Sequence, residues 1–346
     1  MAAIDMKKTG RYILLAYLAV VCLFTIGAFD KLNRKMSFGG NRLFIYLPVV
    51  ILLGVLLYYY TRLLERSMEN GKPVFGAKLF LTIHKYRFLI EQLVSRDFKI
   101  KYKRSALGVF WSFLNPLLMM IVQHIVFSHL LNIRGDVQHY AIYLLCGIVM
   151  WNGFNDCSMQ SMRSITGNAA LITKVYVPKY IYPVTKVFSA SVNVLLSMIP
   201  LLLVTLVYGL FSTPRLYLHL SVFLLPFGLI FLLVFCIGMG FLLSSLMVFF
   251  HDIEFLWTVL STAWMYATPI IYSLSMFEGK QGVQWIVSLM NFNPLYHYIS
   301  FIRTIILDGT SPAFTEYLIC GAFSIVMFFI GLTVFRKCQD KFILYL

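Results

Sequence analysis

The chain has 346 residues, of which 60% are apolar and only 12% are charged, and its mean hydropathy is +0.81. This composition excludes an ordinary water-soluble domain, because such a domain covers its core with polar residues. The formal charge of +15 does not predict a nucleic-acid-binding surface either, because Lys and Arg form short clusters between long apolar runs, which is typical of a protein in a membrane with an anionic inner leaflet.

The first predicted element is an N-terminal hairpin of two membrane spans, residues 12–29 and 43–60, within the domain 1–60. Basic residues 1–11 precede the first span and no small-residue cleavage site follows it, so an uncleaved anchor is favoured over a cleaved signal peptide. A charged segment, residues 61–83, then forms a cytoplasmic connector to the rest of the chain.

The segment 84–106 predicts an amphipathic helix at the membrane surface. At about 100° per residue, Ile90 and Leu93 fall on an apolar face and Lys99 on a basic one. A helix with such faces lies in the membrane interface instead of crossing the bilayer. From composition alone a plain juxtamembrane anchor is the alternative, but Asp97 interrupts the apolar face, and a passive anchor does not need a carboxylate there.

Six further spans are predicted in the region 107–346, because each apolar run approaches the roughly 20 residues that cross a bilayer. They cover residues 107–131, 139–161, 184–211, 217–249, 255–272 and 314–335. Basic residues before the first of these spans, in the loop 163–183 and in the C-terminal tail all fall on one side, and the opposite loops are nearly neutral. By the positive-inside rule this side, which holds both termini, is cytoplasmic.

The loop 163–183 predicts a short helix at residues 168–174, because Pro178 and Pro183 prevent it from continuing. A short, stiff and basic helix that projects into the cytoplasm suits docking to a partner protein. An ordinary positive-inside loop is the alternative interpretation.

The region 273–312 is too apolar and aromatic for a loop. Two half-length helices, broken at Asn293 and Pro294, fit its pattern best. Because irregular backbone at membrane depth is tolerated only inside protein or along a cavity, we interpret these helices as re-entrant gate elements on the outer side.

Aromatic residues make up 16% of the chain. They serve either as an aromatic belt at the headgroup level or as stacking platforms for sugar rings in a conduit. The candidates for a glycan channel and its gate are Trp111, Trp151, Tyr266, Tyr272, Trp285 and Tyr296.

Several sequence features that would indicate catalysis, nucleotide binding or ion binding are absent from the sequence. No GxxxxGK[ST] phosphate loop occurs, so ATP hydrolysis by that route requires a separate polypeptide, and no catalytic residue is predicted. His124 and His129 are spaced poorly for a shared ion, and no metal site is predicted. Asp156 and Arg163 are expected to pair near the inner face, which leaves few intramembrane charges for an ion-coupled carrier.

Three motifs follow one another along the chain. The first covers residues 96–108 with Trp111, Asn115 and Pro116; the second holds Asn168, Leu171, Ile172, Lys174, Pro178 and Pro183; the third holds Pro269, Tyr272, Asn293, Pro294 and Arg303. Together they are similar to the motifs of the permease subunits of polysaccharide-exporting ABC transporters, which serve O-antigen, capsule and teichoic acid. The resemblance covers residue 84 to the C-terminus and departs from the family's usual Arg-Asp at His251-Asp252.

The resemblance implies an all-α polytopic membrane protein of the bacterial cytoplasmic (inner) membrane, with a six-span exporter permease core, a cytoplasmic interface helix and re-entrant outer gate helices. It implies a homodimer with two copies of an ATPase subunit that binds ATP and Mg, and a lipid-linked polysaccharide as substrate. Lipid head-groups would meet Arg96, Lys99, Lys103 and Arg104. Coupling to the ATPase would involve Asn168, Leu171, Ile172, Lys174 and Pro178. The N-terminal hairpin lies outside the family's usual core.

Two other functions fit the composition. A related permease that exports a drug or a lipid without a glycan predicts a cavity instead of a channel. A membrane-bound glycosyl- or acyltransferase predicts a catalytic acid or His constellation facing one side, which the sequence does not provide.

Overall fold

The computed structural model describes residues 85–103, 105–130, 137, 139–174, 177–211, 220–274 and 289–345. The predicted N-terminal hairpin and the connector that follows it lie outside these residues. The chain divides into two compact units, Met1–Leu89 and Ile90–Leu346, and the helices described below lie in the second, apart from the first residues of the helix that begins at Arg87. Within the described residues, all regular secondary structure is helical.

The helices are as follows. In the first half of the bundle, α1 covers Arg87–Tyr102, α2 covers Phe110–His124 and continues through a π-helical turn at Ile125–Leu130, α3 covers Tyr140–Met162, α4 covers Ala169–Lys174 and α5 covers Ile181–Phe211. In the second half, α6 covers Leu225–Phe249, α7 covers Ile253–Ala267, α8 covers Pro294–Ile306, α9 covers Phe314–Cys338 and α10 covers Phe342–Tyr345.

Four stretches of helix among the described residues are long and apolar enough to cross a membrane. They are Phe110–Leu130, Ile181–Phe211, Ser221–Phe249 and Phe314–Tyr345. Their bounds agree with four predicted spans to within a few residues, except that the last stretch extends further toward the C-terminus. α3 and α7 stand at the positions of the other two predicted spans. α3 is 23 residues long, and polar residues such as Asn155 and Gln160 lower its hydropathy.

α3 lies at the centre of the bundle, where nearly all of its residues are buried. It packs against α2, α5 and α6, and α6 packs along α9. The last two helices approach closely at Gly238 and Gly331, where a Cβ on either residue would overlap the backbone of the facing helix. Small residues allow such close approach between helices in a membrane.

Two ends of the bundle carry the polar residues that concern function. At the α1 end, ion pairs join Lys101 to Asp156 and Arg163 to Glu254. At the opposite, α8 end, the short helix α8 begins at Pro294, and the side-chain oxygen of Asn293 accepts a hydrogen bond from the backbone N–H of Leu295 at 3.1 Å. Pro and an Asn cap at a helix start explain why the chain breaks here, as predicted.

Candidate functional site

Asp97 connects α1 to α5 through its carboxylate. Its Oδ2 accepts hydrogen bonds from Nζ of Lys186 at 2.7 Å and from Oγ of Ser189 at 3.3 Å. Its Oδ1 lies 3.2 Å from Nη2 of Arg96. Only 12% of the Asp97 side chain is exposed, so this carboxylate lies inside the structure with two cations beside it.

The remainder of α1 is also held by the bundle. Of the predicted apolar face, Ile90 and Leu93 are buried, whereas Ile100 is exposed. Tyr102 donates a hydrogen bond to Oδ1 of Asn193 at 2.7 Å, and Nζ of Lys101 lies 3.3 Å from Oδ2 of Asp156. The Lys101–Asp156 pair is nearly half exposed, so it contributes little to stability.

Two adjoining cavities of about 240 and 290 Å³ run along α1, and we call them together the α1 groove. Gln160 and Lys186 line both cavities. The groove brings together four cationic side chains from three parts of the chain: Arg96 and Lys101 on α1, Arg163 after α3, and Lys186 on α5. Its other polar lining residues are Asp97, Ser189 and the amide side chains of Gln160, Asn168 and Asn193. Cations and amides in a concave site can hold an anion with several acceptor oxygens, such as a phosphate.

The expected pair of Asp156 and Arg163 is wrong. Arg163 forms an ion pair with Glu254, and Asp156 pairs with Lys101. The physical reason is that α3 ends at Met162, so Arg163 leaves the helical path that would place it two turns above Asp156. Glu254 stands in the first turn of α7, where a carboxylate also suits the positive end of the helix dipole.

The short helix predicted in the loop 163–183 is confirmed as α4, which a single 3₁₀ turn at Thr166–Asn168 precedes. Asn168 donates to the carbonyl oxygen of Ser164 at 2.7 Å, and its Oδ1 lies 3.5 Å from Nη2 of Arg96. Lys174, at the end of α4, is exposed. The 3₁₀ turn before α4 therefore lines the α1 groove, and α4 presents a cation at its end.

α4 is attached to the bundle by an apolar cluster. The cluster contains Ile165, Ile172, Tyr182, Val184, Phe241, Val248, Leu332, Phe335 and Phe342. Beside it, Nζ of Lys179 donates to the carbonyl oxygen of Gln339 at 2.6 Å. Burial lowers the pKa of Lys179, and the nearby Asp340 acts in the opposite direction. Through Ile172, α4 thus belongs to an apolar cluster that also contains residues from α5, α6, α9 and α10.

At the α8 end, the turn that follows α7 presents four successive carbonyl groups, and side chains of α3 and α8 donate to all of them. Arg303 donates to Pro269 at 2.8 Å and to Ile270 at 2.9 Å, Tyr140 donates to Ile271 at 2.6 Å, and Tyr143 donates to Tyr272 at 2.8 Å. Irregular backbone inside a membrane protein needs such partners.

Arg303 is buried, and its guanidinium lies 3.3 Å from the centre of the Tyr143 ring. Its Nη2 also donates to the carbonyl oxygen of Tyr143 at 3.2 Å. A Cβ on Gly147 would lie 3.1 Å from Arg303 Nη2 and 2.8 Å from Ile270. The glycine on α3 therefore leaves the space that the guanidinium and the turn occupy.

α8 is fixed to its neighbours by two more polar side chains. Nδ1 of His297 lies 3.1 Å from Oε2 of Glu316 on α9, and Nε2 lies 2.8 Å from the carbonyl oxygen of Asn291. Asn293 donates to the hydroxyl of Thr268 at 2.8 Å. These contacts join the start of α8 to the end of α7 and join α8 to α9.

The structure separates the residues that the sequence singled out. Arg96 lines the α1 groove, Lys99 and Lys103 are exposed, and Arg104 lies outside the described residues. Leu171 and Pro178 are half-buried beside the α4 cluster. Of the aromatic candidates, Trp151 is buried, Trp111 and Tyr266 are exposed, Tyr272 and Tyr296 are half-buried, and Trp285 lies outside the described residues.

Sequence reasoning missed Lys186 and Arg163 as residues of one groove, and Tyr140 and Tyr143 as partners of the turn. Only one signal pointed to the groove: Asp97 stands on the otherwise apolar face of α1. A carboxylate at such a position requires a buried cation nearby, although its identity does not follow from the sequence.

An all-helical bundle with helices able to cross a membrane is that of an integral membrane protein. Residues 89–307 match the ABC-2 type transporter family, and the chain belongs to this family. It is 30% identical over 256 residues to the O-antigen export system permease protein RfbA of Klebsiella pneumoniae, a match that covers 73% of this chain and 93% of the relative. The Myxococcus xanthus protein with the same description is 26% identical over 265 residues, covering 77% and 98%.

A more distant relative is the polysialic acid transport protein KpsM of Escherichia coli, which is 20% identical over 255 residues and covers 72% of this chain and 93% of its own length. The relatives confirm the resemblance that the three motifs indicated. Since the family consists of the membrane subunits of transporters, the chain is a transporter subunit and the transferase alternative loses its support.

Proposed function

We propose that the chain is the permease subunit of an ATP-driven exporter that moves lipid-linked polysaccharide across the bacterial cytoplasmic membrane. The observation that carries this proposal is the α1 groove, a cationic cavity beside a surface helix in a chain similar to O-antigen export permeases. A polysaccharide carried on a lipid diphosphate presents the anion for which such a groove is suited.

The six spans of the permease core are α2, α3, α5, α6, α7 and α9. The α1 end faces the cytoplasm, because its short loops hold the Lys and Arg residues. α1 lies in the inner interface, and the exposed side chains of Ile100 and Lys99 suit the acyl boundary and the anionic head-groups. α8, with 13 residues, is too short to span the bilayer and forms a re-entrant part of the outer gate.

Lipid head-groups reach the permease at the cytoplasmic interface. Lys99, Lys103 and Arg104 attract the anionic head-group to the surface of α1, and Arg96 leads from that surface into the α1 groove. From there the glycan follows the lipid into a conduit at the centre of a homodimer. Exposed apolar side chains of α7, such as Phe255 and Val259, suit a helix that faces a second copy.

A separate ATPase subunit binds ATP and Mg and supplies the energy. Lys174 on α4 is exposed to this partner, and Ile172 on the same helix is packed into the apolar cluster. Because packed cores transmit displacement, a movement of α4 caused by the ATPase moves the ends of α5, α6 and α9 together. Asn168, Leu171 and Pro178 position α4 for this role.

The proposal is tested by deletion of the gene in its own organism, followed by extraction of lipid-linked glycan. We expect the glycan to accumulate inside the cell and to disappear from the surface, and we expect the wild-type chain, supplied on a plasmid, to restore both. Surface glycan at the normal level, in a strain with no second exporter, would contradict the proposal and favour a permease for a drug or for a lipid without a glycan.

A further inference from the structure

Asp97 occupies the α1 groove in the way that a bound anion would. One of its carboxylate oxygens contacts Lys186 at 2.7 Å, and the other lies 3.2 Å from Arg96. Both cations line the larger cavity, whereas Asp97 lines only the smaller one. The carboxylate therefore lies at the edge of the groove, where it neutralises Lys186 and Arg96. The same two cations also face the larger cavity, from which another anion can reach them.

The other two cations of the groove are paired with carboxylates outside it, and Lys101 is paired with Asp156, which lines neither cavity. Arg163 is paired with Glu254 on α7, and Glu254 does not line either cavity. Of the side chains that line the groove, Asp97 is thus the one carboxylate among the described residues. Gln160 and Asn168 add amide groups that can donate hydrogen bonds to a phosphate.

We propose that the Asp97 carboxylate occupies the position of a phosphate in the α1 groove and so serves as an internal placeholder. When a lipid-linked substrate enters the groove, Lys186 and Arg96 release this carboxylate and bind the diphosphate group of the substrate instead. This inference rests on the proposed function, which it deepens by naming the groove residues and the residue that competes with the substrate. No covalent bond changes in this exchange.

The exchange is favourable for an anionic ligand and unfavourable for a neutral one. A buried or half-buried cation without a partner is destabilising, and Lys186 is only 23% exposed. In the exchange Lys186 keeps an anionic partner in both states. A neutral lipid cannot replace the carboxylate, so the placeholder selects ligands that carry a strong anion.

The exchange also changes how α1 is held. Asp97 joins α1 to Lys186 and Ser189 on α5, whereas the Lys101–Asp156 pair is weak because it is exposed. A phosphate that takes the place of the Asp97 carboxylate breaks the contact of Asp97 with Lys186 and Ser189. The middle of α1 is then no longer held to α5 by this contact. Binding and movement of the surface helix are then linked, since a ligand shifts a conformational equilibrium by its differential affinity for the two states.

The test uses the full chain, purified with its ATPase partner in lipid nanodiscs, and isothermal titration calorimetry with farnesyl diphosphate. Farnesol and inorganic pyrophosphate serve as the neutral lipid and the free anion, and empty nanodiscs give the background. Because Asp97→Asn removes the internal competitor, we expect it to bind farnesyl diphosphate roughly tenfold more tightly than the wild type, the effect of about one charge-assisted hydrogen bond.

Matched variants make the result specific. Glu91→Gln removes a charge from an exposed part of the same helix and is expected to leave the affinity unchanged. Lys186→Gln is expected to lose most of the binding, and combining it with Asp97→Asn is expected to remove the gain. An affinity of Asp97→Asn that is equal to or lower than that of the wild type would overturn the placeholder.

Two outcomes concern the ligand and the fold. Equal affinities for pyrophosphate and farnesyl diphosphate would overturn the assignment to a lipid head-group. If Asp97→Asn fails to fold, the exchange of both residues, Asp97→Lys with Lys186→Asp, retains the ion pair, and its failure to bind farnesyl diphosphate would overturn the proposal. Loss of surface glycan in the deletion strain together with an unchanged Asp97→Asn affinity would reject the placeholder alone.

Discussion

Arg303 brings a positive charge into a part of the bundle where carbonyl oxygens and an aromatic ring surround it. Its guanidinium donates to Pro269, Ile270 and Tyr143 and stacks on the Tyr143 ring. A planar guanidinium has five N–H donors in a fixed geometry, so it can donate to carbonyl groups at its edge while its face stacks on a ring, which the compact ammonium group of lysine cannot do. The position is thus specific for arginine and not merely for a cation.

We expect Arg303→Lys to destabilise the protein by about 1–3 kcal/mol, because the replacement leaves buried carbonyl groups without donors. The measurement is the unfolding temperature of the purified chain in one detergent. Arg336→Lys, at an exposed position near the end of α9, provides the control and is expected to behave like the wild type. Equal unfolding temperatures for both variants would contradict the role of the guanidinium.

The space around Arg303 gives a second prediction at this scale. Gly147→Ala is expected to destabilise by about 1–3 kcal/mol, the usual effect of overpacking a core, since the added Cβ would meet Ile270 and Arg303. Gly167→Ala is the matched control, because no heavy atom lies within 4 Å of its added Cβ. An unfolding temperature that falls further for Gly167→Ala than for Gly147→Ala would contradict close packing at Gly147.

Among the elements, the helices were predictable and their polar partners were not. Apolar runs of sufficient length predicted the positions of α2, α5, α6 and α9, and prolines indicated that α4 is short and where α8 begins. The partners of α1 depend on the fold, since Asp97 and Lys186 are 89 residues apart in the chain and Lys101 and Asp156 are 55 residues apart. Helical periodicity therefore revealed Asp97 as unusual and led to the wrong partner for Asp156.

Two residues of α4 allow its effect on the stability of the chain to be measured separately from its effect on the partner ATPase. Ile172→Ala is expected to lower the free energy of unfolding by about 2–5 kcal/mol, because it leaves a cavity in the cluster. Lys174→Ala, at an exposed position, is expected to change that free energy by less than about 0.5 kcal/mol and yet to reduce the ATPase activity of the complex. Lys337→Ala, exposed on α9, is the control for loss of a cation. Unchanged ATPase activity of Lys174→Ala would refute a docking role for Lys174.

For the whole molecule, the two ends of the bundle differ in chemistry. Cations, an open groove and an exposed short helix characterise the α1 end. A buried guanidinium, the short helix α8 and a turn whose carbonyl groups accept hydrogen bonds from side chains characterise the α8 end. The first arrangement suits reception of a charged head-group and contact with an ATPase, and the second suits a gate that stays closed until the helices move.

This difference predicts how the molecule is oriented in the membrane. Lys174 and Phe292 are both exposed, one at each end. In intact spheroplasts, a membrane-impermeant maleimide is expected to label Phe292→Cys, and to label Lys174→Cys only after permeabilisation. The described native cysteines of the bundle are buried, except for the half-buried Cys338 near the α1 end, so the unsubstituted chain supplies the background. Labelling of Lys174→Cys in intact spheroplasts would place the α1 groove outside the cell, where no partner ATPase could reach α4.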